Sequence, residues 1–286
     1  MANQADINTQ FYANFVADAE FAAYEVSVSR QLAKLFQVPM NAGKVVQVPI
    51  WGQGSAQRIT DESAASARDT TSSQALITLE EHVYYSRVTD MLKDSAYGDV
   101  MAQLAEVSGR AIGESLDTMA FSRFSSFNSD IGSTTTELTT ELIMKAAATL
   151  RAQKVAGPLF AVCHPNAAYY MKKTLTQTIP YSGATGIAAL SPVGGQVQVS
   201  GIIGSIGGVT VIESPLVAAV TTGGATAYRC GVFAPTALGI AERGGLRLDS
   251  LYLPQNRATD MNVVAVAGAA VLQATHGVAI TAEGTL

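Results

Sequence analysis

Between Trp51 and Gln74 the chain reads "GQGSAQRITDESAASARDTTSS", in which Ile59 is the one large aliphatic side chain. A stretch this polar cannot enter a core, so it must lie outside whatever body the chain builds. Its flanks are sequences of the opposite kind. Before it, "KVVQVPIW" alternates Val46, Val48 and Ile50 on one side, and Pro49, lacking an N–H, restricts the strand to an edge. After it, "QALITLEEHVYYSRVTD" alternates for long enough to make a strand of about a dozen residues or more. Two strands joined by a polar tip predict an extended hairpin projecting from a body. A hairpin alone is marginal in water. This one needs a further surface to lie on.

The remaining sequence supplies the body. Phe21, Tyr24, Val28, Leu32 and Leu35 recur at helical spacing, and Pro39 and Gly43 stop that pattern. Residues 98–126 are the longest helical candidate, with Met101, Leu104, Ala111, Ile112, Leu116 and Met119 on one side. Glu106, Arg110 and Glu114 form a ladder of alternating sign on the other. Gly109 and Gly113 cost that helix propensity and mark close packing or a bend. A second helix is predicted over 139–154, capped by Thr140. "GPLFAVCHP" reads as a buried strand, and Pro165 opens a helix after it. Residues 180–208 read as loops with short strands. "GSIGGVTVIESPLV" follows as a glycine turn, a strand and a stop at Pro215. "TAYRCGVF", "GLRLDSLYL" and "MNVVAVAGAAVLQA" read as strands, and "APTALGIAER" as a turn or short helix. No linker separates independent domains.

Composition bounds the function. Of 286 residues, 48% are hydrophobic but only 14% are charged, against roughly 25% in ordinary soluble domains. A chain so poor in charge has little hydrophilic exterior, as expected if copies of itself cover much of it. The net charge of −5, with no basic run longer than Lys172-Lys173, argues against tracking a nucleic-acid backbone. The N-terminus shows no signal-peptide pattern, and the longest apolar segment, 263–272, is about half of a membrane span. The reading is a soluble chain made inside a cell.

The sequence carries no recognisable reactive constellation. His82, His164 and His276 are too far apart in sequence for a zinc-type pair. Cys163 and Cys230 read as buried thiols, and Cys163 and His164, as strand neighbours, point to opposite faces. His164, just before Pro165, reads as a turn or helix-cap residue. "GESLD" fails as a nucleophile elbow because Asp117 stands where glycine is required. Neither a P-loop nor a dinucleotide fingerprint occurs. Trp51, at the foot of the polar excursion, reads as an interface anchor or a core plug. No catalytic, cofactor or metal residue is assigned.

The order of parts resembles the major capsid proteins of tailed bacteriophages, the HK-ninety-seven-like capsid fold, which also includes encapsulins. The most telling residues are "GSIGGVTVIESPLV" and "YRCGVFAPTALGIAERGGLRL". The resemblance implies an α+β fold with an N-terminal arm at 1–43 and an extended loop at 44–90. It implies a peripheral domain at 91–155 built on the long helix, an axial domain at 156–240, and C-terminal strands at 241–286 completing the peripheral domain. It implies a virion shell of hexamers and pentamers assembled in the host cytoplasm. The partners implied are a portal protein, a separate scaffolding protein, and double-stranded DNA held by confinement only. Candidate inter-subunit residues are Trp51, Arg58, Asp61, Glu62, Arg68, Asp69, Glu80 and Arg87. Residues 45–92 contain no lysine, which argues against covalent joining of subunits through the loop. An encapsulin-type compartment is the alternative, and a soluble α/β enzyme with an unrecognised site is a third reading.

Overall fold

A computed structural model describes residues 4–52, 54, 56–59, 64, 66–67, 72–95, 99–177, 204–222 and 225–285. The chain opens with helix α1 (Gln4–Val26), the short α2 (Ser29–Leu32) and strand β1 (Lys34–Gln37). Strands β2 (Val45–Trp51), β3 (Ser72–Thr78) and β4 (Glu80–Thr89) follow, then helices α3 (Asp90–Ser95) and α4 (Val100–Ser122). Next come β5 (Ser129–Gly132), α5 (Thr140–Ala152), β6 (Leu159–Cys163) and α6 (Pro165–Gln177). The closing strands begin with β7 (Ser205–Ile206), β8 (Val209–Glu213), β9 (Ala219–Thr222) and β10 (Ala225–Phe233). They end with β11 (Leu238–Glu242), β12 (Arg247–Leu253), β13 (Ala258–Val271) and β14 (Gly277–Glu283).

Three sheets organise these elements. In the five-stranded sheet, β13 pairs with β4 along one edge and with β12 and β11 along the other, and β1 adds in parallel to β11. Met261, Val263, Ala265, Ala267 and Ala269 alternate along β13 onto one face, in one core with Ile112 and Leu116 of α4. The seven-stranded sheet runs β5-β14-β10-β6-β8-β7, with β9 also on β10. It buries a second core with α5 and α6 around Ile143, Leu150, Met171 and Ile280. Phe121, Phe124, Phe127 and Phe233 close the first core, with neighbouring ring centroids 5.4 to 6.2 Å apart. The third sheet is the two-stranded hairpin β2-β3.

The helix starts follow capping chemistry. Asp99 Oδ1 accepts from the N–H groups of Met101 and Ala102, fixing α4. Thr139, one residue before the predicted cap, accepts from Leu142 N and starts α5. His164 Nδ1 accepts from Asn166 N at 3.1 Å, and its ring stacks on Tyr228 at 3.5 Å. This histidine is a cap, as its sequence position implies.

The structure departs from the sequence reading in four places. The predicted helical face of Phe21 and Tyr24 points outward, and α1 instead buries Phe15, Ala19, Ala22 and Ala23. Small side chains win because α1 lies directly on the glycines of α4. A Cβ at Gly109 would stand 2.2 Å from the Ala19 carbonyl oxygen, and one at Gly113 2.9 Å from that of Ala23. The long strand after the polar stretch divides at buried Leu79 into β3 of the hairpin and β4 of the main sheet. "APTALGIAER" does turn, with Ala237 N bonded to Ala234 O, but then continues as fully buried β11, paired on both edges. Here tertiary pairing overrides helix propensity. Finally, β5, α5 and β14 belong with the seven-stranded sheet and its core, so the expected divisions at 155 and 241 do not follow the sheets.

Candidate assembly surface

Hairpin β2-β3 is in register from Val45↔Thr78 to Trp51↔Ser72. Its base is anchored, because Ile77 and Leu79 are buried with Val38 and Ala241 in a small third core. Its far end is not. Ile50, Trp51, Ser72 and Ser73 face Gln273 and His276 across an open cleft of about 630 Å³. Trp51 is 67% exposed there, so it is not a core plug. Large apolar side chains stand out elsewhere too: Phe21 on α1, Met91 on α3, and Val83 and Leu251 on the face of the main sheet turned away from α4. Periodicity assigned Phe21 to the interior and gave no signal for Met91 or Leu251.

The predicted interface residues fare differently. Arg58 is exposed beyond the end of β2, and Glu80 is exposed at the start of β4. Asp61, Glu62, Arg68 and Asp69 lie outside the described residues, as does most of the predicted loop region at 180–208. Arg87 is engaged within its own chain. Its Nε donates to Asp260 Oδ1 at 2.6 Å, and a terminal nitrogen donates to Asp260 Oδ2 at 2.9 Å. Tyr85 donates to the same carboxylate at 2.6 Å. These donors hold the Asp260 carboxyl down at about 2. Because the folded-state value is depressed, the stabilisation is present above the ordinary carboxylate range and is lost as pH falls toward about 2. A carbon-13 NMR titration of Asp260 should therefore show a midpoint near that value. Arg87→Ala should return it toward the ordinary range; an unshifted Asp260 in the wild-type protein would refute the pairing.

Several other polar groups make contacts within the chain. His82 Nδ1 lies 2.7 Å from Ser115 Oγ, and His276 Nδ1 lies 2.7 Å from Thr236 Oγ1. Burial lowers the pKa of all three histidines, with Glu80 partly opposing it at His82. Glu213 pairs with Lys172 at 2.7 Å, tying β8 to α6. Gly207 and Gly208, with φ of 58° and 81°, form the tight turn into β8, and Ser214 Oγ accepts from Leu216 N to close its end. Among the described residues, no group of three or more His, Cys, Asp or Glu side chains could hold a metal ion. Among the same residues, no helix is long and apolar enough to cross a membrane.

The two-sheet body thus carries a hairpin packed on it at its base and exposed at Trp51, together with scattered apolar surface. The chain belongs to the phage capsid protein family, whose model matches residues 58–280. No curated protein sequence is detectably similar. Among solved structures, the capsid of cyanophage P-SCSP1u superposes with a TM-score of 0.66 at 14% identity, covering 91% of this chain and 89% of that one. The capsid of Helicobacter pylori bacteriophage KHP30 gives 0.67 at 12% identity, with 88% of each chain covered. A virus-like particle from Pyrococcus furiosus gives 0.59 at 12% identity, covering 94% and 99%. The fold is the HK-ninety-seven-like capsid fold, and the protein is a capsid shell protein.

Proposed function

We propose that this chain is the major capsid protein of a tailed bacteriophage, assembling as hexamers and pentamers into an icosahedral head around double-stranded DNA. The observation that carries the reading is the family match over 58–280, together with a hairpin whose far end leaves Trp51 exposed. On this reading the arm is residues 1–43 and the extended loop 44–90. The five-stranded sheet with α4 is the peripheral domain, and the seven-stranded sheet with α5 and α6 is the axial domain. Trp51, Arg58 and Glu80, with the charged residues of the loop tip, meet a neighbouring subunit. Arg87 contributes by fixing β4 on β13. The protein performs no catalysis. DNA is retained by the closed wall and not by affinity, in keeping with the net charge of −5. A portal protein and a separate scaffolding protein complete assembly in the host cytoplasm. The match to a phage family model favours a virion over a cargo compartment of the same fold.

The test removes the tip. Because Trp51 pairs with Ser72, an Asn-Gly turn can replace residues 52–71 and close the hairpin at that pair. The shortened subunit should keep its circular dichroism and melting cooperativity, while assembly fails or yields fragile particles. Individual rim ion pairs are each worth only about 0–1 kcal/mol, but a closed shell repeats them many times over. Normal shells from the shortened chain would remove the hairpin from the assembly mechanism. Loss of subunit folding would place the tip in the core.

A further inference from the structure

The seven-stranded sheet sets the protein's two cysteines opposite each other. Strand β10 pairs antiparallel with β6 through Phe233↔Phe160, Val232↔Ala161 and Gly231↔Val162. One further step in that register brings Cys230 across from Cys163. Their backbones face away from each other. The Cys163 carbonyl accepts from Ser214 N at 2.9 Å, on the β8 side. Arg229 N donates to Ala218 O on the edge that β6 and β9 share, so Cys230, next along the strand, turns its backbone toward β14. The pair therefore occupies a non-hydrogen-bonded position, where Cα atoms approach to about 4.5 Å and side chains lie closest. That spacing falls within the range of roughly 4.4–6.8 Å that a disulfide spans. Both side chains are fully buried in the core under α5 and α6.

We propose that Cys163 and Cys230 are a cross-strand pair that closes into a disulfide when a small peroxide reaches the core, stapling β6 to β10. One cysteine sulfur, as thiolate, takes one oxygen of hydrogen peroxide, the O–O bond breaks, and a sulfenic acid forms with release of hydroxide. The other cysteine then attacks that sulfur, the S–O bond breaks, and hydroxide leaves. The two thiol protons convert both hydroxides to water, and the peroxide takes up the two electrons that the sulfurs lose. Full burial excludes bulky oxidants and makes the step slow.

The full-length protein should be incubated with millimolar hydrogen peroxide, quenched with catalase, then unfolded in denaturant containing an alkylating agent. Intact mass should fall by two hydrogens with no alkyl group added, and a digest should contain the Cys163–Cys230 peptide pair. The melting temperature should rise by about 5–10 °C, reversibly with dithiothreitol. Cys230→Ala should abolish that rise. If this variant does not fold, the reductant-reversible mass change of the wild-type chain still decides. Two alkylated cysteines after prolonged exposure, sulfinic acids, or disulfide-linked dimers would each overturn the proposal.

Discussion

Gly109→Ala is expected to lower the stability of the subunit by about 1–3 kcal/mol, despite replacing glycine with the best helix former. Two effects oppose each other. Alanine gains roughly 1 kcal/mol of helix propensity in the middle of α4. Its methyl group, however, would stand 2.2 Å from the Ala19 carbonyl oxygen and 3.0 Å from the Ala19 Cα. Those atoms are backbone and cannot rotate aside, so α1 must shift bodily. Overpacking wins. The contact recurs one turn later, where Gly113 meets Ala23, so displacement at one step strains the next. Thermal melting should show the loss, and limited proteolysis should cut first within or just after α1. Gly54→Ala, with nothing within 4 Å of the new methyl, is the control and should be neutral. A Gly109→Ala variant as stable as the wild type would mean that the two helices do not lie in contact.

What the sequence reveals about this fold divides by the distance over which each signal acts. The hairpin was legible because polar and alternating stretches adjoin along the chain. Helix α4 was legible because Ile112, Leu116 and Met119 repeat at helical spacing. The turn at Gly207-Gly208 was legible for the same reason, since positive φ is a property of two residues. The face of α1 was not legible. Hydrophobicity alone favours Phe21 and Tyr24 for the interior, and only the presence of Gly109 and Gly113 nearly a hundred residues later reverses that choice. Strand β14 is buried along nearly its whole length and carries no alternation, so its place in the seven-stranded sheet is known only from its pairing with β10. The surroundings of single charged residues were not legible. Arg87 carries the same charge whether it meets a neighbour or, as it does, Asp260 of its own chain.

Asp117 carries the second large expectation, and its sequence context gave no sign of it beyond breaking the pattern of a nucleophile elbow. It sits on the same face of α4 as Gly109 and Gly113, one turn further on, and is 1% exposed. The residue pairs 19 with 109, 23 with 113 and 27 with 117 advance together, so α1 runs alongside α4 and ends at this carboxylate. Oδ1 accepts from Ser27 Oγ at 2.8 Å and Ser29 N at 3.1 Å, and Oδ2 accepts from Val28 N at 2.9 Å. The side chain thus gathers the donors that α1 and α2 leave free at their junction. Asp117→Ala strands all three donors in a buried site and should cost about 3–5 kcal/mol. Asp117→Asn keeps the shape but sets an NH₂ group against at least one of them, so it should cost less, about 1–3 kcal/mol. Amide hydrogen exchange separates this mechanism from general loosening. Protection of Val28 and Ser29 should collapse first, while the amides of β10 and β14 follow only global unfolding. A cycle with Ser27→Ala should show coupling of about 0.5–3 kcal/mol, because each single change removes the same bond. Additive losses, or unchanged exchange at Val28 and Ser29 in Asp117→Ala, would detach this carboxylate from the α1–α2 junction.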